Sequence, residues 1–361
     1  MSTGKDLFSK QNKKYDERDT MFSRMARKRG TPAYEDYYSC RKEYREKDDH
    51  LRQLPRLLEP GGKYYHPQIT TEARRIFDAI EKISMDKQVI DSWASRFKKT
   101  DNHKRLIHNL CRSLGAIRVG FAELDQAFVY SHKGRFDEVY GRVIELNHPT
   151  VIVFLVEMDF YAMQQAPRAQ VIRESAHQYY RAAKIALTVE ALLQSLGYAA
   201  KAQYDAHYDL VLPPLAVAAG LGEVGRNNIL ISDGYGSRVR IGAISTDLIV
   251  EYDHPVSLGV DHFCQICKKC AETCPSRALD AEEKKMVNGE LKWPTNVERC
   301  YAYWRGIGTD CGICMAVCPF SHKYNWFHNL VREIVYRFSW THSLVLYLDN
   351  LIYRHKFRQN R

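Results

Sequence analysis

Long apolar runs are missing from this 361-residue chain. The longest, Leu210 to Gly222, is 13 residues and is interrupted by Pro213-Pro214, whereas a membrane-spanning helix needs about 20. Residues 1–29 are mostly polar and hold no apolar stretch of the kind a secretory signal carries. On these two absences the expected location is the cytoplasm. Blocks of five or six like charges are missing too. The net charge of +10 comes from 53 Lys plus Arg against 43 Asp plus Glu spread along the whole chain, densest at Arg24-Met-Ala-Arg-Lys-Arg29. That dispersal favours a solvated surface, while an anionic partner (nucleic acid, an acidic redox protein or a membrane surface) stays open. Cysteine is scarce over most of the length: outside residues 264–318 there are two, Cys40 and Cys111. A disulfide scaffold would be short and secreted, and this chain is neither.

Inside residues 264–318 there are eight cysteines, which points to metal. Cys264-Gln-Ile-Cys267-Lys-Lys-Cys270-Ala-Glu-Thr-Cys274-Pro275 has the spacing C-x2-C-x2-C-x3-C-P. Three thiolates in seven residues can wrap three corners of an iron–sulfur cube, and the fourth, turned outward before proline, reaches a second cube. The second motif is Cys300 followed by Cys311-Gly-Ile-Cys314-Met-Ala-Val-Cys318-Pro319. Crossed ligation assigns Cys264, Cys267, Cys270 and Cys318 to one [4Fe–4S] cluster. It assigns Cys274, Cys300, Cys311 and Cys314 to the other. Cys300 is the least regular of these, standing ten residues ahead of Cys311. Structural zinc is the competing reading, but zinc is usually held by paired CxxC or Cys/His knuckles rather than by two runs each ending in Cys-Pro. Two clusters make this part of the chain an electron wire.

Hydrophobic periodicity predicts helices over Thr70–Ser84, Asn102–Leu114 and Ala169–Leu196, the last closed by Gly197. Val151–Val156 reads as a buried strand and Arg238–Val250 as another. Pro213-Pro214 can start a short helix ending in Gly220-Leu-Gly-Glu-Val-Gly225. Alternation of strands and helices argues for an α/β body. The expected organisation is an N-terminal extension over residues 1–100, a body over 101–254, a two-cluster ferredoxin domain over 255–321 and a helical tail over 322–361. The tail carries Trp326, Leu330, Ile334, Phe338, Leu344, Leu346 and Leu348 and is expected to pack back on the body.

Several segments together resemble the corrinoid-dependent reductive dehalogenases, and more distantly the epoxyqueuosine reductases. They are Cys300–Ser321, Val151–Pro167, Gly220–Arg226 and Ser237–Leu248. The tail, with Trp326, His328-Asn-Leu-Val-Arg332 and Asp349, adds to the likeness. The resemblance implies a nitroreductase-like α/β body that binds cobalamin, followed by a bacterial-type two-cluster ferredoxin domain. It implies a base-off corrinoid reduced to Co(I) through the clusters. Asp205-Ala-His207-Tyr-Asp-Leu210 begins the D-x-H-x-x-G pattern that supplies a cobalt-ligating His, but Leu stands where Gly is needed. Corrinoid contacts are expected from Gly220, Gly222, Gly225 and Arg226, with Tyr235 and Gly236 bordering the same cavity; a plain turn is the alternative for the glycines. The family's proton donor maps to Tyr179, with Tyr180 as the neighbouring candidate. Arg238 and Arg240, two apart on a strand, share a face, and one could lower the Tyr pKa.

The function this resemblance implies is removal of halogen from a small organohalide, with electrons from an external ferredoxin or flavodoxin. Two alternatives remain: an epoxyqueuosine reductase-like enzyme acting on tRNA, and an electron-transfer or corrinoid protein without turnover of its own. Tyr rather than Asp at position 179 weighs against the first. The size of the α/β body weighs against the second.

Overall fold

The computed structural model describes residues 14–287 and 290–353. Its N-terminal part is helical: α1 (Met21–Ala26), α2 (Pro32–Cys40), α3 (Lys42–Gln53), α4 (Pro67–Ile80), α5 (Lys87–Phe97) and α6 (His103–Ser113) precede the first strand. The central elements are β1 (Arg118–Glu123), β2 (Thr150–Glu157), α7 (Phe160–Met163), α8 (Ala169–Ser195), β3 (Ala200–Gln203), α9 (Leu212–Ala218), the short strands β4 (Glu223–Val224) and β5 (Leu230–Ile231), and β6 (Val239–Thr246). The chain is thus mixed α/β. Its main sheet has the order β1-β2-β6-β3 with every neighbour antiparallel.

The apolar run of β2 is continuous because both faces of the sheet are covered. Ile152, Phe154 and Val156 pack with Ile185, Val189 and Leu192 of α8 and with Ile107 and Leu110 of α6. Val151, Val153 and Leu155 pack on the other face with Leu215 and Ala216 of α9. The same alternation runs along β6. Val239, Ile241 and Ala243 belong to the α9 side, so Arg240 and Ile244 face α8. Gly242 lies opposite Phe154, whose ring would stand 2.4 Å from any Cβ placed there. The strand ends at Thr246, short of the expected Val250, because its partners end there: Thr246 pairs with Thr150 on one side and Ala200 on the other. α4 begins at Pro67 rather than Thr70, as Pro suits the first helical position.

The cysteine-bearing part follows as α10 (Val260–Cys267), α11 (Lys269–Glu272), the hairpin β7 (Lys285–Val287) and β8 (Glu290–Lys292), α12 (Val297–Ile307) and α13 (Ile313–Ala316). The last helices are α14 (Trp326–Arg337) and α15 (His342–Ile352). The packing face expected for them is corrected here. Leu330, Phe338, Leu344 and Leu348 are exposed, as is Trp326 at 78%. Of the expected residues Ile334 and Leu346 are partly buried; the other inward contacts are Val335, with Tyr336 and Val345 partly buried, and polar groups. Buried Asp349 pairs with Lys269 and accepts from His322 Nε2 at 2.5 Å.

The densest basic patch is only partly a surface, with Lys28 and Arg29 exposed. Arg24 and Arg27 are buried. Arg24 pairs with Asp48 at 2.6 Å and with Glu298 at 3.0 Å, tying α1 to α3 and α12. Residues 63–64 extend this cover: Lys63 N donates to Gly306 O and Tyr64 N to Ile307 O, at 3.0 and 2.9 Å.

Candidate active site

Folding brings the eight clustered cysteines into two groups. Cys264, Cys267, Cys270 and Cys318 line one small space together with Arg226, Phe263 and Phe320. Burial raises the thiol pKa values, and the neighbours that add to the rise sort them. Cys318 acts on Cys264, Cys267 and Cys270. Cys274 acts on Cys300, Cys311 and Cys314. Cys300 therefore sits with the second group despite its irregular spacing. The two groups adjoin, since Cys314 also feels Cys270. Neither closes on a point: among the described residues no set of three or more His, Cys, Asp or Glu is gathered to hold a single ion. Cys40 is exposed and Cys111 buried, away from both groups.

Beside the second group lies a polar cluster. Ser175 and Tyr179 are four residues apart on α8 and so share a face. Arg240 reaches them from β6. Its Nη2 donates to Ser175 Oγ at 2.7 Å and stands 3.4 Å from Asp310 Oδ2. Ser175 Oγ in turn donates to Asp310 Oδ2 at 2.5 Å. The guanidinium carbon lies 4.8 Å from the centre of the Tyr179 ring, and Phe77 of α4 approaches the same ring at 6.1 Å. Asp310 immediately precedes Cys311, which joins this cluster covalently to the second cysteine group. Burial pushes Tyr179 up to about 12; Arg240 pulls it down, and Asp205 and Asp310 push it further up. The expected lowering by a guanidinium is present, but burial outweighs it. The hydroxyl consequently keeps its proton at neutral pH. Tyr180 is exposed and borders an open groove between α4 and α8 with Glu72 and His177.

Other expected site residues are engaged elsewhere. Arg238 is fully buried. Its Nε donates to Ser321 O at 2.7 Å, and its Nη1 donates to Met158 O at 2.6 Å and Glu157 Oε1 at 3.0 Å. It clamps the end of the cysteine-bearing part to the sheet instead of facing Tyr179. Arg226 borders the first cysteine group, with its Nε donating to Cys264 O at 3.0 Å and its Nη1 to Asp280 O and Glu282 O. The close approach that Gly222 and Gly236 allow is to the protein's own backbone. A Cβ on Gly222 would meet Ile231 O at 2.2 Å, and one on Gly236 would meet Phe320 C at 2.4 Å. Gly220 similarly abuts His254 O, and Gly225 abuts the Ile231 side chain. Tyr235 stacks on Tyr324 at 5.1 Å. His207 is held by Glu81 at 2.7 Å and stacked on Phe136.

Sequence reasoning missed Ser175, Asp310 and Phe77. Ser175 was signalled by its four-residue offset from Tyr179, and Asp310 by its place beside a ligand candidate. Nothing in the sequence pattern marks Phe77.

Residues 263–322 match the 4Fe-4S dicluster domain family. A tetrachloroethene reductive dehalogenase of Desulfitobacterium hafniense is 30% identical over 285 residues, which cover 66% of this chain and 51% of that protein. An epoxyqueuosine reductase of Lactococcus garvieae (strain Lg2) is 31% identical over 157 residues, 39% of this chain and 40% of that one. Among solved structures, the catabolic reductive dehalogenase NpRdhA in complex with 3-bromo-4-hydroxybenzoic acid superposes with a TM-score of 0.63 at 30% identity. The match covers 68% of this chain and 36% of NpRdhA. A second NpRdhA structure shares the fold over 94% of this chain and 46% of NpRdhA, with a TM-score of 0.73 at 23% identity. The chain spans about half the length of the curated tetrachloroethene reductive dehalogenase it matches. In sequence and in fold, this chain is related to the reductive dehalogenases.

Proposed function

We propose that this chain is a corrinoid- and iron–sulfur-dependent reductase that replaces halogen by hydrogen in an organohalide. The observation that carries the reading is the adjacency of the second cysteine group, through Asp310, to a proton-bearing Tyr179 under the Arg240 guanidinium. Electrons arriving at one side of such a site can meet a proton held at the other. The overall step balances as R–X plus two electrons and one proton giving R–H plus halide.

The residues present fit the groups this requires. Four thiols around each of two adjoining spaces suit two [4Fe–4S] clusters, with Cys264, Cys267, Cys270 and Cys318 holding one and Cys274, Cys300, Cys311 and Cys314 the other. For the corrinoid, the supporting observation is the buried Nε of Arg240, which lacks a hydrogen-bond partner among the described residues. A buried donor of that kind marks a place where a further group belongs. His207, bonded to Glu81, supports a corrinoid without a protein imidazole on cobalt. When bound and reduced to Co(I), the corrinoid supplies the low-potential chemistry that breaks the carbon–halogen bond. Tyr179 holds the proton at its hydroxyl, and Arg240 favours the phenolate left when the proton leaves. An external ferredoxin or flavodoxin supplies the electrons. The similar NpRdhA has been solved with a brominated hydroxybenzoate, which makes halogenated phenolic acids the first substrates to try.

The test is anaerobic expression with cobalamin, metal analysis and a screen of halogenated aromatics and alkenes. About eight iron, eight sulfide and one corrinoid per chain are expected, with halide released. Tyr179→Phe should lower turnover roughly 10²–10⁴-fold, the range of a general acid, at unchanged cofactor content. Tyr180→Phe should leave turnover near normal. Recovery of zinc with no iron, or full turnover in Tyr179→Phe, refutes the corresponding half of the reading.

A further inference from the structure

Arg240 is the only guanidinium within cation–π range of the Tyr179 ring among the described residues, and a long side chain of this kind loses rotamer freedom when it is fixed. Stacking alone does not fix it. Its Nε has no hydrogen-bond partner among the described residues, so within the protein the guanidinium is held through Nη2. That nitrogen makes one short bond, 2.7 Å to Ser175 Oγ, and one long contact, 3.4 Å to Asp310 Oδ2. The serine hydroxyl is itself directed, because its only proton goes to Asp310 Oδ2 at 2.5 Å, leaving a lone pair for Nη2. Ser175 is fully buried, so no water competes for the hydroxyl.

We propose that Ser175 and Asp310 are positioning residues that hold the Arg240 guanidinium over Tyr179. Asp310 orients the Ser175 hydroxyl and opposes the arginine charge. Ser175 carries the short bond that fixes Nη2. Because Asp310 is peptide-bonded to Cys311, the arginine is placed only when the loop bearing the second cysteine group is in its folded position. Among the described residues neither side chain hydrogen-bonds Tyr179; Ser175 acts through Arg240, and Asp310 both through Arg240 and by its own charge. This inference rests on the reading of Tyr179 as proton donor for its kinetic consequence, but not for its structural one.

The experiment uses the anaerobic, cofactor-loaded protein with Ser175→Ala, Ser175→Thr and Asp310→Asn. Each variant is analysed for iron and corrinoid, crystallised, and assayed on whichever substrate the wild type turns over. In Ser175→Ala the guanidinium should leave the Tyr179 ring by about 1 Å or more. A displacement of that order can cost up to about a hundredfold in rate, so kcat should fall roughly 10- to 100-fold with KM little changed. Ser175→Thr keeps the hydroxyl and should restore both placement and kcat. Asp310→Asn keeps an acceptor for the serine but removes the charge, and should shift kcat in the same direction as Ser175→Ala. An unmoved guanidinium in both Ser175→Ala and Asp310→Asn overturns the proposal. So does failure of Ser175→Thr to recover a loss seen in Ser175→Ala. Full turnover in Tyr179→Phe would remove the donor reading alone, since the crystallographic position of Arg240 in Ser175→Ala still decides the tether.

Discussion

Arg238 and Arg240 stand two residues apart, and replacing each by Gln should produce opposite phenotypes. Arg238 donates to two buried carbonyls, Ser321 O and Met158 O, and to Glu157. A Gln side chain is shorter and cannot reach all three. Each buried acceptor left without a donor costs about 1–3 kcal/mol. The Glu157 carboxylate is partly exposed and can rehydrate, so it adds little. The sum is about 2–6 kcal/mol, in line with the roughly 3–5 kcal/mol found when a buried ion pair loses one member. Arg240 is less buried, loses one short bond, to Ser175 Oγ, and has only a long contact with Asp310, so Arg240→Gln should cost about 1–3 kcal/mol while lowering turnover at full cofactor load. The assay is anaerobic chemical denaturation of the loaded protein, followed by circular dichroism, together with turnover normalised to bound corrinoid. Arg238→Gln should unfold at markedly lower denaturant with normalised turnover preserved. Two results refute the reasoning: Arg238→Gln within 0.5 kcal/mol of wild type (a margin typical of surface changes), or a loss of normalised turnover in Arg238→Gln at unchanged stability.

Two further outcomes are expected. Cys318→Ala should remove the cluster held by Cys264, Cys267 and Cys270, and Cys274→Ala the one held by Cys300, Cys311 and Cys314, so that low-temperature EPR of the reduced variants loses a different signal in each; loss of the same signal from both would contradict crossed ligation. His328 is held down to about 4 by burial and by the neighbouring charges of His322 and Arg332, so between about pH 6.5 and 4 the unfolded chain takes up a proton that the native ring refuses. Stability from this group is therefore fully present above pH 6.5 and is lost as the pH falls towards 4. Hydrogen exchange of α14 and α15 should accelerate over that window in the wild type and lose this dependence in His328→Gln.

What the sequence made legible follows from how locally each feature is encoded. The cysteine spacings are local, and Cys318 and Cys274 change groups because each stands just before a proline that turns the chain outward. The β2 run and the long α8 are also local patterns, set by burial of one strand on both faces and of one helix along most of its length. The N-terminal helices α1 to α3 were not legible because their inward face is not aliphatic. Tyr34, Tyr37 and Tyr38 are buried there, with the Tyr34 hydroxyl donating to Asp49 and that of Tyr38 to Asp48, each at 2.7 Å. A period built from tyrosine, arginine and aspartate looks like surface to any scale that ranks residues by hydropathy. The apolar residues of α14 and α15 misled in the converse way, since the packing face there is Arg332, His342 and Asp349 with a few aliphatic neighbours.

The arginine pair shows where strand parity stops being informative. Position 240 lies inside β6, paired with Val156, and parity there points it towards α8. Position 238 lies one residue before the strand begins. The Met158 N–H donates to Arg238 O at 2.9 Å, but the side chain is no longer bound to the alternation of the ladder. It turns instead towards the carbonyls of Ser321 and His322, which arrive from 83 and 84 residues away in sequence. Those carbonyls follow Cys318, so the residue that looked like half of a catalytic pair fastens the cysteine-bearing part to the sheet. Loosening the clamp should therefore disturb the site only by loosening the fold, which is why stability and normalised turnover are the two quantities that must be read on the same preparation.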